Sequence, residues 1–475
     1  MKKYDVVIIG AGTAGLSARK VVSKYTQNYV VIDDGILGTT CARVGCMPSK
    51  AFIQVANDFH RRNSFQEIGI AGSEVLKVDS EKVMSHTRKL RDRFVRSVLS
   101  GMEDWKEEHF IGKRARFINR NEIDLGDTKI SGNKIIIATG SSPVVPKPWQ
   151  EFSDLFIDTN SFFELSKLPR SVGVIGLGVI GIELGQALHR LGVEVVGISK
   201  GPAMAGLSDP KLIEYTSKKL GEELNLDFSG VKSLSRKNGN LSIQTHEREY
   251  IVEKALISVG RSPNLSGLGL ENLPVELDAR GIPRFNEKSC QLNGADNIFI
   301  AGDVDGSRAI LHESADDGAI AGFNACQDKV QQYKRRTWLG ITFSSPNIAT
   351  VGKRYVELVN EKIDFEYGEV SFEGQGRSIV MLSEKGHLRI YGDKKNNQIL
   401  GAELFAPSGE HIAHLLAWVI SQKMTVGEVL QLPFYHPAVE EGLRTALRNL
   451  ASKLNEIRSP LEIAVCQEHD TSMCE

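Results

Sequence analysis

Residues 4–15 read YDVVIIGAGTAG, and residues 171–181 read SVGVIGLGVIG. Each is a short, apolar, β-branched run that leads into G-x-G-x-x-G. A helix-compatible stretch follows in both, LSARKVVSK at 16–24 and IELGQALHRL at 182–191. A second apolar run then closes each unit, 29–32 ending on Asp33 and 193–198 ending on Ser199. Strand, glycine turn, helix and strand at this spacing make a βαβ dinucleotide fold, and the chain carries it twice.

The glycines have separate tasks. Gly10 and Gly176 permit the tight turn, Gly12 and Gly178 let a pyrophosphate approach the backbone, and Gly15 and Gly181 let the helix pack on its strand. Asp33 stands where a carboxylate accepts hydrogen bonds from a ribose hydroxyl. The second unit has no acid there, only Ser199 and Lys200. A missing carboxylate and a nearby lysine favour NADP. Gly181 as the third glycine favours NAD, and Ser199 and Lys200 also read as solvated turn residues. The choice stays open at this point.

The bulk numbers agree with a soluble enzyme-sized protein. The chain has 475 residues, 41% hydrophobic and 25% charged, with a formal net charge of -1. That length suits about three domains. The charge balance selects neither nucleic acid nor an anionic membrane as partner. The longest apolar runs fall short of a spanning helix, and the N-terminus runs into a glycine motif rather than a cleavage site, so the cytoplasm is the expected location. Its 45 glycines exceed the usual share of about 7%.

Between the units, helices are expected over 49–63 and 80–108, with later buried parallel strands at 135–140, 256–260 and 298–302. From about residue 333 the texture changes. Runs at 337–352, 365–372, 387–391 and 399–405 suit an antiparallel sheet, followed by helices at 410–422, 425–431 and 438–454. The fold class is α/β: two Rossmann-like doubly wound nucleotide-binding regions and a C-terminal α+β region. The expected boundaries are 1–145 with 265–335, then 146–264, then 336–475.

Residues 38–50, GTTCARVGCMPSK, carry the clearest chemistry. Cys41 and Cys46 can close an intramolecular disulfide, and a helix N-terminus would favour the thiolate of the sulfur it faces. Half a zinc site and two inert thiols are the alternatives, but zinc needs two further ligands and no paired cysteine or histidine motif supplies them. His436, before Pro437 and ahead of Glu441, suits a general base tuned by a carboxylate, with Pro437 fitting the first turn of a helix. A structural His-Pro is the more common reading of that pair alone. Cys466 and Cys474 read as incidental thiols in a polar tail.

Taken together, GAGTAG (10–15), CARVGCMPSK (41–50), ATG (138–140), GLGVIGIE (176–183), VGRSPN (259–264), AGD (301–303) and HPAVEE (436–441) resemble the class I pyridine nucleotide–disulfide oxidoreductases. The resemblance implies FAD on Gly10, Gly12, Gly15 and Asp33, with Gly140, Lys50 and Asp303 around it. It implies NAD or NADP on Gly176, Gly178, Gly181, Ser199, Lys200 and Gly260, with Glu183 paired to Lys50. It also implies Cys46 against the flavin, Cys41 exchanging with substrate, and His436–Glu441 as an acid–base dyad serving the other subunit of a homodimer.

The C-M-P-S-K ending is most similar to dihydrolipoyl dehydrogenases. That makes a dithiol or disulfide the implied substrate, a lipoyl domain of a 2-oxoacid dehydrogenase complex among the candidates. An NADPH-dependent reductase of another disulfide, a quinone or a metal is the alternative. A non-catalytic flavoprotein scaffold or sensor is the more distant one. Thr39 replaces the second glycine of the family's usual G-G-T-C, and a loss of backbone freedom is expected there.

Overall fold

A computed structural model describes residues 1–454 and 461–464; Cys466 and Cys474 lie outside the described residues. The first sheet has the strand order Gln291–Leu292, Ala295–Ile300, Lys129–Ile137, Lys2–Ile9, Tyr29–Ile32, Phe110–Ile111. Its central strands run parallel, with Ile8 beside Val31 and Ile136, and Phe299 beside Ile136. Val7, Ile8, Ile135, Ile136, Ile137, Ile298 and Ile300 are fully buried. Layers on both faces of a parallel sheet require such unbroken apolar runs.

On one face the helix Thr13–Val22 lies against the helix Leu311–Asn324. Gly318 and Gly322 make the crossing possible, because a Cβ would lie 2.1 Å from Ala14 O at one and 2.7 Å from Ala18 O at the other. Part of the glycine excess is thus spent on bringing helices together.

The second sheet is wholly parallel, in the order Asn225–Asp227, Glu194–Ile198, Ser171–Ile175, Lys254–Ile257, Phe156–Ile157. A three-stranded antiparallel sheet, Val231–Lys237, Asn240–Thr245 and Glu249–Val252, packs on it through Leu241 and Ile243. The chain enters and leaves this region through one antiparallel ribbon, Ser141–Pro143 against Arg261–Pro263.

The third region is a five-stranded antiparallel sheet, Leu339–Thr342, Asn347–Gly352, Ile399–Ala406, His387–Asp393, Phe365–Ser371. Helices Gly409–Ser421, Val426–Leu430 and Glu441–Ala451 pack on it around Ile390, Leu404, Leu416 and Leu447. The α/β class with a C-terminal α+β unit is as the sequence implied.

A buried polar node ties the second region to the third. Arg389 donates to both oxygens of Asp209 at 2.6 Å, and the Tyr391 hydroxyl donates to Asp209 at 3.0 Å. Glu403 accepts the Ser208 and Asp209 N–H groups at 2.6 and 3.1 Å.

Three local expectations need correction. The long helix breaks into Ser80–Ser100 and Glu103–His109, because Gly101 closes the first and Trp105 Nε1 donates back to Gly101 O at 3.0 Å. The helix expected from residue 49 starts earlier, spanning Cys46–His60. Pro437 does not open a helix. The His436–Pro437 peptide is cis, and the helix begins at Glu441, whose carboxylate accepts the Ala438 N–H at 3.1 Å.

Candidate active site

Cys41 sits in a short helix, Thr40–Val44, and Cys46 is the first residue of the next, Cys46–His60. The free N–H groups and dipole of that second helix face Cys46. Lys50 lies one turn on, over the same face. Cys41 and Cys46 are thiols here, joined by a hydrogen bond.

The pair is strongly polarised. Cys46 is drawn down from 9.0 to about 7, first by the hydrogen bond from Cys41 and then by the Lys50 ammonium, with burial opposing both. The Cys41 pKa is pushed well above the ordinary thiol value, first by that same hydrogen bond and then by burial. One sulfur is thus prepared as the thiolate and the other as its proton donor.

Lys50 is itself held. Its ammonium reaches both Glu183 oxygens, at 3.0 and 2.8 Å, and lies 4.6 Å from the centre of the Phe343 ring. Glu183, 4% exposed, also accepts the Phe343 N–H at 2.8 Å. The node joins all three regions beside the thiols. Reading the sequence missed Phe343, 160 residues from Glu183 along the chain.

Thr39 departs from expectation in a different way. It adopts φ 60°, ψ 149°, a conformation essentially reserved for glycine, and its hydroxyl caps the cysteine helix by accepting the Ala42 N–H at 3.3 Å. The backbone freedom is not lost there; a threonine is held in it.

The glycine turns have the geometry a dinucleotide needs. A Cβ on Gly12 or Gly178 would meet nothing within 4 Å, so each turn opens onto free space in front of a helix N-terminus. Asp33 accepts the Ala11 and Gly35 N–H groups at 2.6 and 2.7 Å. Asp303 follows Gly302 and accepts the hydroxyls of Ser141 and Ser314, both at 2.9 Å, while Arg261 Nε braces Ser141 at 2.8 Å. Gly140 and Gly260, at the two feet of the ribbon, have φ of 69° and 121° and open space around them. Ser199 is half-buried and Lys200 exposed at the end of the second unit.

His436 Nδ1 and Glu441 Oε1 are 2.9 Å apart. The bond to His436, and then the Ala438 N–H, hold Glu441 below the usual carboxylate range. His436 is 80% exposed and forms no hydrogen bond with the cysteine segment of its own chain. It borders an apolar groove of about 380 Å³ lined by Leu415, Trp418, Met424, Leu432, Phe434 and Tyr435, with Trp418 65% and Tyr435 83% exposed. Exposed aromatic surface of that kind marks a contact face.

Comparison with known proteins gives the family. The profile described as Pyridine nucleotide-disulphide oxidoreductase matches residues 4–319, and that of the family's dimerisation domain matches 339–447. The chain belongs to the pyridine nucleotide–disulphide oxidoreductases. This oxidoreductase is 29% identical over 463 residues to dihydrolipoyl dehydrogenase 1, mitochondrial, of Arabidopsis thaliana, covering 93% of this chain and 89% of that protein. It is 27% identical over 455 residues to a mercuric reductase of Bacillus cereus, covering 94% and 71%. The Cu(II) complex of the HOCl-induced flavoprotein disulfide reductase RclA from Escherichia coli has the same fold, with a TM-score of 0.82 at 22% identity over 96% of this chain and 100% of that one. LpdA of Mycobacterium tuberculosis superposes with a TM-score of 0.81 at 21% identity, covering 95% and 100%.

Proposed function

We propose that this oxidoreductase moves electron pairs between a nicotinamide nucleotide and a dithiol or disulfide substrate through FAD and the Cys41–Cys46 pair, with dihydrolipoamide as the leading substrate. The observation that carries this is the placement of the thiols: Cys46 opens the helix Cys46–His60, Cys41 lies in the helix just before it, and Lys50, one turn on, is held by Glu183 at 2.8 Å.

FAD fits the residues present. The open turn at Gly12, flanked by Gly10 and Gly15, would take its pyrophosphate and Asp33 its ribose, with Gly140, Asp303 and Lys50 along the rest of the cleft. When bound, the flavin supplies two-electron transfer between nicotinamide and thiols. The second unit, with Gly176, Gly178, Gly181, Glu183, Ser199, Lys200 and Gly260, would hold the nicotinamide nucleotide.

The remaining chemistry belongs to the chain. In reduction, Cys41 passes its proton towards Cys46 or a base and attacks one substrate sulfur, forming a mixed disulfide and breaking the substrate S–S bond. His436, oriented by Glu441, protonates the leaving thiolate. Cys46 then attacks Cys41, closing the Cys41–Cys46 disulfide and releasing the second thiol. Dithiol oxidation runs these steps backwards, with His436 as the base. Since His436 faces outward, the dyad of one protomer serves the thiols of the other in a homodimer. The dimerisation domain and the apolar groove beside His436 support that arrangement.

A reductase of another disulfide or of a metal is the second reading, favoured by the mercuric reductase relative. Turnover of dihydrolipoamide with each oxidised nicotinamide, against reduced nicotinamides with assorted disulfides and Hg(II), separates the two. His436→Gln should lower thiol turnover by about 10²–10⁴-fold while nicotinamide still bleaches the flavin. Equal loss of both half-reactions would reject the dyad, and retained turnover in Cys41→Ser would reject the thiol relay.

A further inference from the structure

The two nucleotide units share a backbone and differ in how the ribose end is finished. Gly10 and Gly176 have φ of 113° and 100°, and a Cβ would lie 2.2 Å from Ala138 O at the first and 2.4 Å from Ser258 O at the second. The third glycine is dictated by packing in both. A Cβ on Gly15 would sit 1.8 Å from Gly10 O, and on Gly181 2.0 Å from Gly176 O. Gly181 is therefore required by the closeness of the helix to its own turn and does not discriminate between nucleotides.

The units part at the end of the second strand. In the first, the Asp33 carboxylate fills the space beside the turn and accepts the Ala11 N–H. In the second, Ser199 stands at that point and its hydroxyl donates to Gly201 O at 2.7 Å. The Leu177 N–H, counterpart of the Ala11 N–H, has no acceptor among the described residues. Asp227, at the end of the neighbouring strand, is already spent: Oδ1 accepts the Ser229 N–H and hydroxyl at 2.8 and 2.6 Å, and Oδ2 accepts the Thr245 hydroxyl at 2.8 Å. Lys200 is exposed and forms no ion pair among the described residues. Its stem lies over the next turn, where a Cβ on Gly230 would be 3.3 Å from Lys200 Cγ.

We propose that the second unit selects a nicotinamide nucleotide carrying a 2′-phosphate, NADP(H) over NAD(H), with Lys200 as the specificity-determining residue. A 2′-phosphate brings its own acceptor oxygens into the space that the Asp33 carboxylate occupies in the first unit. It offers the Leu177 N–H the acceptor that the chain does not provide. Lys200 supplies a charge-assisted partner, and the strand itself ends on Ser199 rather than on a carboxylate, with Asp227 turned to Ser229 and Thr245 on the neighbouring strand. A bare 2′-hydroxyl would find no carboxylate to accept its proton. The inference rests on the proposed function only in requiring a nicotinamide partner, and it is independent of the disulfide substrate.

The test uses FAD-loaded protein mixed anaerobically with NADPH or NADH, with no disulfide present, while bleaching of the flavin band is followed. The second-order rate constant for NADPH should exceed that for NADH by about tenfold or more, and Lys200→Ala should lower the ratio of the two rate constants by about tenfold. Ser199→Glu, which restores an acid at the strand end, should reverse the preference. Wild-type preference for NADH, or equal loss of both nucleotides in Lys200→Ala, overturns the proposal. Protein that bleaches preferentially with NADPH yet exchanges no disulfide upholds it and rejects the thiol relay instead.

Discussion

Replacing Cys41 by alanine removes the hydrogen bond that does most to hold Cys46 as a thiolate. Cys46 is drawn from 9.0 to about 7, so close to half of it is ionised at pH 7. Each unit of pKa is a tenfold change in the ratio of thiolate to thiol. With the Cys41 donor gone and Lys50 still in place, the Cys46 pKa should rise and its thiolate fraction at pH 7 should fall. Adding Lys50→Met removes the next stabilising charge. The Cys46 pKa should then rise further, because burial and Glu183 are opposed only by the remaining backbone hydrogen bond.

The sign is fixed. A thiolate held below its ordinary pKa is favoured above the depressed value and lost as pH falls through it. Cys41→Ser keeps a donor and should stay close to the lower value. The assay follows the pH dependence of alkylation of Cys46 by iodoacetamide in Cys41→Ala and Cys41→Ser, with the long-wavelength charge-transfer absorbance of the flavin-loaded variants as a second readout. Coincident titration curves for the alanine and serine variants would refute the idea that the neighbouring sulfur, as donor, sets the thiolate.

Two predictions concern stability. Thr39→Gly should release about 1–3 kcal/mol of backbone strain, offset by a few tenths for the cap and about 0.5–1 kcal/mol of unfolded-chain entropy. A small net stabilisation should appear as a raised thermal midpoint; a clear loss would show that the threonine is not strained. Arg389→Met strands the fully buried Asp209 carboxylate and should cost about 3–5 kcal/mol, read as a lowered midpoint. The double variant Asp209→Leu, Arg389→Met should recover much of that loss, and simple additivity of the two would contradict a coupled pair.

The sequence was legible wherever the signal is local. Each nucleotide unit is written within about thirty residues, since turn, helix and flanking strands all leave their mark on neighbouring positions. A hairpin of the same kind went unread. Asn238-Gly239 turns back the strand Val231–Lys237 with φ of 52° and 81°, and an Asn-Gly pair is a strong hairpin signal.

Pro437 misled because proline at a helix start is common, whereas here the Glu441 carboxylate sets the start of the helix four residues later. The node around Lys50 is a different case. Lys50 and Glu183 are 133 residues apart, and no local pattern marks them; the pairing came from family resemblance. Phe343 enters through a main-chain N–H, a group that every non-proline residue carries and that no sequence pattern singles out.

The ribbon of Ser141–Pro143 and Arg261–Pro263 has a consequence for how the molecule is made. Every strand of the second parallel sheet falls between residues 156 and 257. That lobe can therefore close on itself as soon as its own stretch has left the ribosome. The first sheet must wait for Ala295–Ile300 to slot beside a partner made some 160 residues earlier, with the helix Leu311–Asn324 then sealing its face. A truncated chain ending before residue 290 would hold one finished lobe and one with a bare edge along residues 135–137, so nascent chains are most vulnerable to aggregation over that interval.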